Sequence, residues 1–195
     1  MQWIESLRSN VTREAALQEL RGRGLSRGFR WLTAGPLRSI ADVYVPYHLF
    51  RVEIRNAASR QEKLLALDAV CGIFDLYSLD AVPSSDDLIR ICTKNRPAPT
   101  LNAERARSVL IDRLRRIVFR AGFFRVRNLC IEAESVPLEL HIPYWVGFSG
   151  FGERANLSVI DGVRRRMEGG KVRQFFREWL ATEPSTARNN LIQSF

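Results

Sequence analysis

The chain reads Val-Pro-Tyr-His-Leu at residues 45–49 and Ile-Pro-Tyr-Trp-Val at residues 142–146. In both stretches a Pro-Tyr pair lies among apolar and aromatic residues of the kind that strands favour. With 8 Pro and 4 Tyr in 195 residues, only about 0.16 Pro-Tyr pairs are expected by chance. The recurrence, at an offset of 97 residues, therefore indicates that part of the chain is duplicated.

The surroundings of the two Pro-Tyr pairs also match. One pair begins 22 residues after Gly24 and the other 21 residues after Gly122, and both glycines follow helical patterns. Each pair precedes an apolar run that ends in an aspartate, at Asp68 and at Asp161. Because one helix over three short strands buries little surface and leaves a sheet edge exposed, we expect the two copies to pack as a pseudo-two-fold. The predicted fold class is therefore α+β, a tandem pair of helix-plus-antiparallel-strands units with a C-terminal amphipathic helix.

Periodicity and end signals predict the individual elements. Apolar residues at helical spacing predict helices over residues 3–24, with Thr12 as an N-cap, over 102–122 and over 171–181. Alternating or β-branched runs predict strands, and Asp161-Gly162 is typical of a hairpin turn. The predicted strands cover residues 43–54, 64–67, 73–77, 138–148 and 157–160.

The domain boundaries follow from the repeat. We expect a first α+β repeat over residues 1–80, a linker with a short helix over 81–100, a second repeat over 101–182 and a tail over 183–195. The linker is rich in Pro, Ser and Asp, and Leu88, Ile89 and Ile91 form its short apolar run.

The two prolines of the repeat place a constraint on the strands. Pro46 and Pro143 have no N–H to donate to a ladder, so we expect them at strand starts, bulges or edges. The aromatic residues that follow, Tyr47, Tyr144 and Trp145, are then aimed into the core or into a groove between the repeats.

The composition is that of an ordinary globular protein. Hydrophobic residues make up 46% and charged residues 26%, which excludes collagen-like, low-complexity and wholly disordered chains. Three isolated cysteines form no Cys-x-x-Cys pair, so a reducing cytoplasm is the expected location. The sequence has no apolar run of signal-peptide or membrane-spanning length, and we expect no membrane span.

Positive charge is the main functional signal. Lys and Arg number 30 against 21 Asp and Glu, a net charge of +9, and a net excess of this size indicates attraction to acidic partners. The preference for Arg over Lys has a simpler explanation in a GC-rich genome. Eight arginines lie between residues 105 and 127, and Arg164–Arg166 follow the second aspartate. The candidate binding residues are Arg105, Arg113, Arg116, Arg120, Arg164, Arg165 and Arg166.

These clusters have several interpretations. Arginine stripes can follow a phosphate backbone, can form a solvated helix face, or can bind an acidic protein. No motif of a known nucleic-acid-binding module accompanies them.

A cleft between the repeats is a second candidate site. Its residues would be Tyr47, His48, Asp68, Tyr144, Trp145 and Asp161. Turn chemistry explains the two aspartates more simply, since an Asp before a tight turn accepts hydrogen bonds from nearby backbone N–H groups. Two histidines without ligand spacing do not predict zinc, and the glycines at 147, 150 and 152 lack the order of a phosphate-binding loop. No catalytic set, metal or cofactor is predicted.

The leading hypothesis is a non-enzymatic binding or scaffold module with an acidic macromolecular partner. The first alternative is a nucleic-acid-binding protein that uses the arginine face between residues 105 and 127. The second alternative is a small-ligand binder or enzyme with its site between the repeats. The repeats can pair within one chain or exchange between chains, so a homo-oligomer is among the expected states.

Overall fold

The computed structural model describes residues 1–22, 35–56, 59–122, 128–150 and 156–182. These residues form three helices and eight strands, so the α+β class is confirmed. In chain order the elements are β1 (Gln2–Leu7), α1 (Arg13–Arg21), β2 (Leu37–Asn56), β3 (Ser59–Asp68), β4 (Tyr77–Leu79), β5 (Leu88–Thr93), α2 (Ala103–Gly122), β6 (Cys130–Ser149), β7 (Asn156–Asp161), β8 (Arg166–Met167) and α3 (Gly170–Thr182).

The strands belong to one eight-stranded sheet. Its main path runs β4-β3-β2-β6-β1-β5, while β7 pairs with β6 and β8 pairs with β7. The pairs β2–β3, β3–β4, β6–β7 and β7–β8 are antiparallel. Two strands, β2 and β6, are 20 residues long, well above the usual strand length of about 5–6 residues.

The chain divides into two compact units, and both are discontinuous. The boundaries fall inside the long strands, between Tyr44 and Val45 of β2 and between His141 and Ile142 of β6. The first unit comprises Met1–Tyr44, Ile89–Pro97 and Ile142–Phe195, and the second comprises Val45–Leu88 and Ala98–His141.

In the first unit, helix α1 packs on strands through one apolar face. Thr12 caps the helix by accepting a hydrogen bond from the Ala15 N–H at 3.2 Å, as predicted. A β-carbon at Gly147 would lie 2.8 Å from the end of the Leu20 side chain, so a larger residue there would require Leu20 to shift. The buried residues around the helix are Val11, Ala16, Leu20, Ile40 and Ile160.

In the second unit, helix α2 covers one face of β2, β3 and β6. The helix contributes every fourth residue and the strands every second residue, which are the two periods of helix and strand. Full burial of each large aliphatic side chain stabilises the fold by about 1.5–3 kcal/mol. The core residues are Phe50, Val52, Leu65, Leu67, Ala106, Leu110, Leu114, Ile131 and Ala133.

Two predicted helical segments are strands. Residues 2–7 form β1 rather than the start of a helix over 3–24, and residues 88–93 form β5 rather than a short linker helix. In β1, buried Ile4 lies between exposed Trp3 and Glu5, and in β5 exposed Arg90 and Cys92 alternate with half-buried residues. Short apolar runs are compatible with both the helical and the strand periodicity, and pairing with distant strands decides between helix and strand.

The prolines lie inside the long strands and not at their starts. Pairing of β2 with β3 begins at Tyr47, and pairing of β6 with β7 begins at Tyr144. Each proline is therefore one residue outside the paired stretch of its hairpin, where its carbonyl still serves as an acceptor. The Pro46 carbonyl accepts from the Ala69 N–H at 2.8 Å, and the Pro143 carbonyl accepts from the Gly162 N–H at 2.9 Å.

The predicted helices over 102–122 and 171–181 are confirmed as α2 and α3. The tandem duplication, its pseudo-two-fold and the contiguous boundaries at 80, 100 and 182 stay predictions. The predicted tail over 183–195, together with Arg125, Arg127 and Gly152, lies outside the described residues.

Candidate functional site

The two Pro-Tyr pairs occupy equivalent positions in their hairpins. Tyr47 lies directly opposite Asp68 in the β2–β3 ladder of the second unit, and Tyr144 lies opposite Asp161 in the β6–β7 ladder of the first unit. Both tyrosines are almost fully buried. The Tyr47 ring meets the rings of Phe74 and Tyr77 edge-on at 6.4 and 5.6 Å between centroids, and the Tyr144 ring lies 5.9 Å from that of Phe176.

Asp68 organises the loop that follows it. Its Oδ1 accepts hydrogen bonds from the N–H groups of Cys71 at 2.8 Å and Gly72 at 2.7 Å, and its Oδ2 accepts from Phe74 at 3.0 Å. The side chain is fully buried, so these donors take the place of water. Gly72 has a φ of 68°, and a β-carbon there would lie 2.9 Å from Val109 of α2.

Asp161 holds a shorter turn by the same chemistry. Its Oδ1 accepts from the N–H groups of Val163 at 2.9 Å and Arg164 at 2.7 Å, and its carbonyl accepts from Arg165 at 3.0 Å. Arg165 has a φ of 56°, the left-handed conformation that closes the turn into β8. Both aspartates thus use their carboxylates on backbone donors.

The remaining cleft candidates also fasten chain segments together. His48 Nε2 lies 2.8 Å from the Leu101 carbonyl, and Trp145 Nε1 donates to the Val11 carbonyl at 2.9 Å. Tyr47, His48 and Asp68 belong to the second unit, whereas Tyr144, Trp145 and Asp161 belong to the first. A ligand cleft formed by these six residues stays a prediction.

Three arginines of α2 are engaged by the fold. Arg107 Nε donates to the Ala133 carbonyl at 2.7 Å. Arg113 Nη1 donates to the carbonyls of Gly72, at 3.2 Å, and Phe74, so this predicted binding residue fastens the Asp68 loop to the helix. Arg115 pairs with Asp112 at 3.5 Å, one turn away on the exposed side.

Three other arginines of α2 form the surface that we call the α2 stripe: Arg105, Arg116 and Arg120. All three are exposed, and within the described part of the chain their side chains have no hydrogen-bond or ion-pair partner. The α-helical rise separates Arg105 from Arg120 by about 22 Å and Arg116 from Arg120 by about 6 Å along the axis. At 100° per residue the three lie within about 60° around the axis, so they point to one side.

The cluster after Asp161 is less open. Arg164 is half-buried, and Arg166 Nε lies 3.6 Å from a carboxylate oxygen of Glu168. Arg165 is exposed. These residues belong to the first unit and the α2 stripe belongs to the second.

One charged groove was not anticipated from the sequence. A cavity of about 590 Å³ lies in the second unit, where Arg107 and Arg51 meet several glutamates. The sequence pattern that could have indicated this groove is the alternation of charged Arg51, Glu53 and Arg55 with the apolar core residues of β2. Its lining comprises Arg51, Val52, Glu53, Glu62, Arg107, Glu132, Ala133, Glu134 and Ser135.

Three glutamates that line this groove, Glu53, Glu62 and Glu132, are paired with arginines. Arg55 Nε lies 3.4 Å from Glu53, and its Nη2 contacts Glu132. Arg60 bridges Glu53 at 2.9 Å and Glu62 at 3.1 Å, which separates two like charges that lie directly opposite each other in the β2–β3 ladder.

Two side chains have shifted acidity. Burial, and then the neighbouring Asp42 carboxylate 2.9 Å from the hydroxyl, raise the pKa of Tyr44 well above its ordinary value. Hydrogen bonding to Cys130 and the charges of Glu132 and Glu53 raise the pKa of Arg55. Both shifts favour the protonated form, so neither side chain is prepared to act as a base near neutral pH.

Within the described ranges, no three His, Cys, Asp or Glu side chains are placed to hold a metal ion. None of the helices among these residues combines the length and the apolar composition that a membrane span requires. Comparisons of the chain with protein-family models, with curated proteins and with solved structures found no match.

Proposed function

We propose that this protein is a non-enzymatic binding module whose α2 stripe, Arg105, Arg116 and Arg120, binds an acidic macromolecular partner. The observation that carries the proposal is the division of the α2 arginines. Arg107 and Arg113 bind backbone carbonyls of their own unit, whereas the stripe side chains are exposed and without partners among the described residues.

The arginines of the stripe slightly destabilise helix α2 when no partner is bound. Arg116 and Arg120 are four residues apart, and like charges at this spacing destabilise a helix by about 0.2–0.5 kcal/mol. Negative charges on a bound partner would attract both arginines and offset the repulsion between them. The net charge of +9 also accelerates the encounter with an acidic partner through long-range attraction.

Nucleic acid is the second candidate partner, and the geometry of the stripe favours it. The stripe is straight and about 22 Å long because it follows one helix. This length spans about six phosphates of one DNA strand, which repeat every 3.4 Å or so along the duplex axis.

We also propose that the chain is a duplicated α+β unit with a pseudo-two-fold. Two observations support this proposal. The order of helix, 20-residue strand, hairpin strand, aspartate turn and short strand occurs as α1-β2-β3-β4 and again as α2-β6-β7-β8. The first unit combines α1 with the first half of β2 and the second half of β6, and the second unit combines α2 with the complementary halves. This division of the two long strands between the units is expected if each of two copies contributes part of its long strand to the other copy.

A cytoplasmic location is part of the same proposal. It is supported by the three cysteines, Cys71, Cys92 and Cys130, none of which forms a disulfide bond in the described part of the chain.

The test is a charge-reversal experiment with a matched control. The stripe variant carries Arg105→Glu, Arg116→Glu and Arg120→Glu. The control carries Arg21→Glu, Lys171→Glu and Arg177→Glu, which change the net charge equally at exposed positions on α1 and α3. Binding of labelled single-stranded DNA, duplex DNA and poly-glutamate is measured by fluorescence anisotropy at several salt concentrations.

We expect the stripe variant to lose binding and the control to keep most of it. Three duplex phosphate contacts predict that affinity falls about 40-fold between about 50 and 200 mM salt, and that this dependence disappears in the stripe variant. Binding of poly-glutamate alone would identify an acidic protein as the partner class. Absence of binding to all three probes at low salt, or equal losses in both variants, would refute the role of the stripe.

A further inference from the structure

The most exposed aromatic side chain among the described residues belongs to a strand. Trp3 of β1 is 59% exposed. It lies on the solvent side of the strand, since its neighbour Ile4 is buried. The guanidinium carbon of Arg90, on the adjacent strand β5, lies 5.4 Å from the centroid of the Trp3 ring. Both residues belong to the first unit.

The stacked guanidinium has two effects on the ring. A cation over an indole face is attracted by the negative potential of that face. Because Trp3 and Arg90 both lie on paired strands, this contact holds the ring in a defined orientation on a rigid support. With Arg90 in this position, Trp3 as a residue is still 59% exposed.

The other tryptophans that the structure describes are used differently. Trp145 is half-buried and its indole N–H is bonded to the Val11 carbonyl. Trp179 is half-buried and packs against the ring of Phe176 at 6.2 Å. Packing within the first unit therefore accounts for these two side chains but leaves most of the Trp3 ring uncovered.

Basic residues outnumber acidic ones in the two segments that carry Trp3 and Arg90. Residues 88–97 contain Arg90, Lys94 and Arg96 and no acidic residue. The Arg96 guanidinium donates to the Gln2 side-chain carbonyl, which places it beside the residue that precedes Trp3. Glu5 is the acidic residue of β1, so cations outnumber acids three to one on these two segments.

We propose that Trp3 and Arg90 form a stacking site for an unpaired nucleobase, with the exposed Lys94 available to a flanking phosphate. An exposed aromatic face next to several cations is the arrangement with which proteins bind single-stranded nucleic acid. A duplex does not present base faces to a flat ring, so the ligand is single-stranded. The site consists of residues of the first unit, whereas the α2 stripe consists of residues of the second.

The test measures binding of labelled oligothymidylate and of a duplex of equal length by fluorescence anisotropy. Trp3→Ala removes the stacking surface and is expected to weaken oligothymidylate binding about tenfold or more, while Trp3→Phe weakens it less. Arg90→Ala is expected to weaken binding as well. The matched control is Phe119→Ala, which removes a 41%-exposed aromatic ring from α2. Because Phe119 lies beside the α2 stripe, the two alanine variants are compared in the background of the triple reversal of Arg105, Arg116 and Arg120, where Phe119→Ala should leave oligothymidylate affinity unchanged.

A second measurement uses the fluorescence of the tryptophans. Oligothymidylate is expected to quench part of the emission of the wild-type protein, and this part should be missing in Trp3→Phe. The experiment thus stays decisive if Trp3→Ala does not fold. Thermal unfolding of each variant checks that it is folded. Because Trp3 is exposed, we expect its replacement to change the melting temperature little.

Several results would overturn the proposal. These are no binding of oligothymidylate to the wild type, an equal effect of Trp3→Ala and Phe119→Ala, or the same loss for duplex and single strand. To separate this site from the stripe, Trp3→Ala is combined with the triple reversal of Arg105, Arg116 and Arg120. Independent sites predict that the fold-loss from Trp3→Ala is the same in both backgrounds.

Discussion

The loop after Asp68 and the turn after Asp161 begin alike and are then stabilised differently. In both, the aspartate lies opposite the tyrosine of a Pro-Tyr pair, and the next residue donates its N–H to the proline carbonyl. The Asp68 carboxylate then accepts three backbone N–H groups, and Arg113 of α2 binds the carbonyls of Gly72 and Phe74 from outside the loop. The Asp161 turn leads directly into β8.

The difference shows which part of this motif the fold requires. The aspartate anchors the end of a hairpin in both units. An arginine accompanies each site but is used differently. Arg113, from helix α2, donates to carbonyls of the Asp68 loop, whereas Arg165, within the shorter turn itself, is exposed. Arginines that look equivalent in the sequence therefore fall into structural and surface groups, and contacts with backbone carbonyls separate the two groups.

The largest expected effect comes from removing the two anchors. Asp68→Ala leaves three backbone donors without their acceptor, two of them buried, and we expect the free energy of unfolding to fall by about 4 kcal/mol. Asp161→Ala removes the acceptor of two part-buried donors and should cost about 2 kcal/mol. Urea unfolding of both variants gives the two values.

The anchor comparison has its own control. Asp68→Asn keeps an oxygen for the Cys71 and Gly72 donors but turns an amide N–H toward Phe74, so its stability should lie between those of wild type and Asp68→Ala. If Asp68→Ala were no less stable than Asp161→Ala, the loop after Asp68 would not depend on its carboxylate.

A smaller effect is expected where the Asp68 loop touches α2. Gly72→Ala forces an alanine into the left-handed region and brings its β-carbon to 2.9 Å from Val109, which should cost about 2 kcal/mol. Gly169→Ala, in the segment after β8, meets no atom within 4 Å and should change stability by less than about 0.5 kcal/mol. Thermal unfolding of the two variants makes the comparison, and similar shifts would mean that the loop can move away from the helix.

Local signals in the sequence predicted much of the fold. Helices α2 and α3 carry long amphipathic patterns, and the Thr12 cap and the Asp161-Gly162 turn are set by neighbouring residues. Strands β1 and β5 were missed because each is only six residues long and pairs with residues far away in the chain. In such short segments the tertiary partner, rather than the local pattern, decides between helix and strand.

The candidate site was predictable only in part. Charge density in the sequence selected the arginines of α2 as a group. It could not separate Arg113 from Arg116, because the distinction depends on where the loop from Asp68 to Phe74 folds against the helix. Trp3 was missed for a related reason, since an exposed position on β1 is recognised only once residues 2–7 are known to be a strand.

The smallest expected effect on stability separates the structural from the surface arginines directly. Arg113→Met keeps the apolar stem and loses the hydrogen bonds to Gly72 and Phe74, which should cost about 1.5 kcal/mol. Arg116→Met removes a guanidinium that has no partner among the described residues, so stability should stay within about 0.5 kcal/mol of wild type. Binding of an acidic probe should follow the reverse order, with a loss for Arg116→Met and little change for Arg113→Met. If Arg116→Met destabilised the protein as much as Arg113→Met does, the fold would be using the α2 stripe, and the argument that the stripe serves a partner would fail.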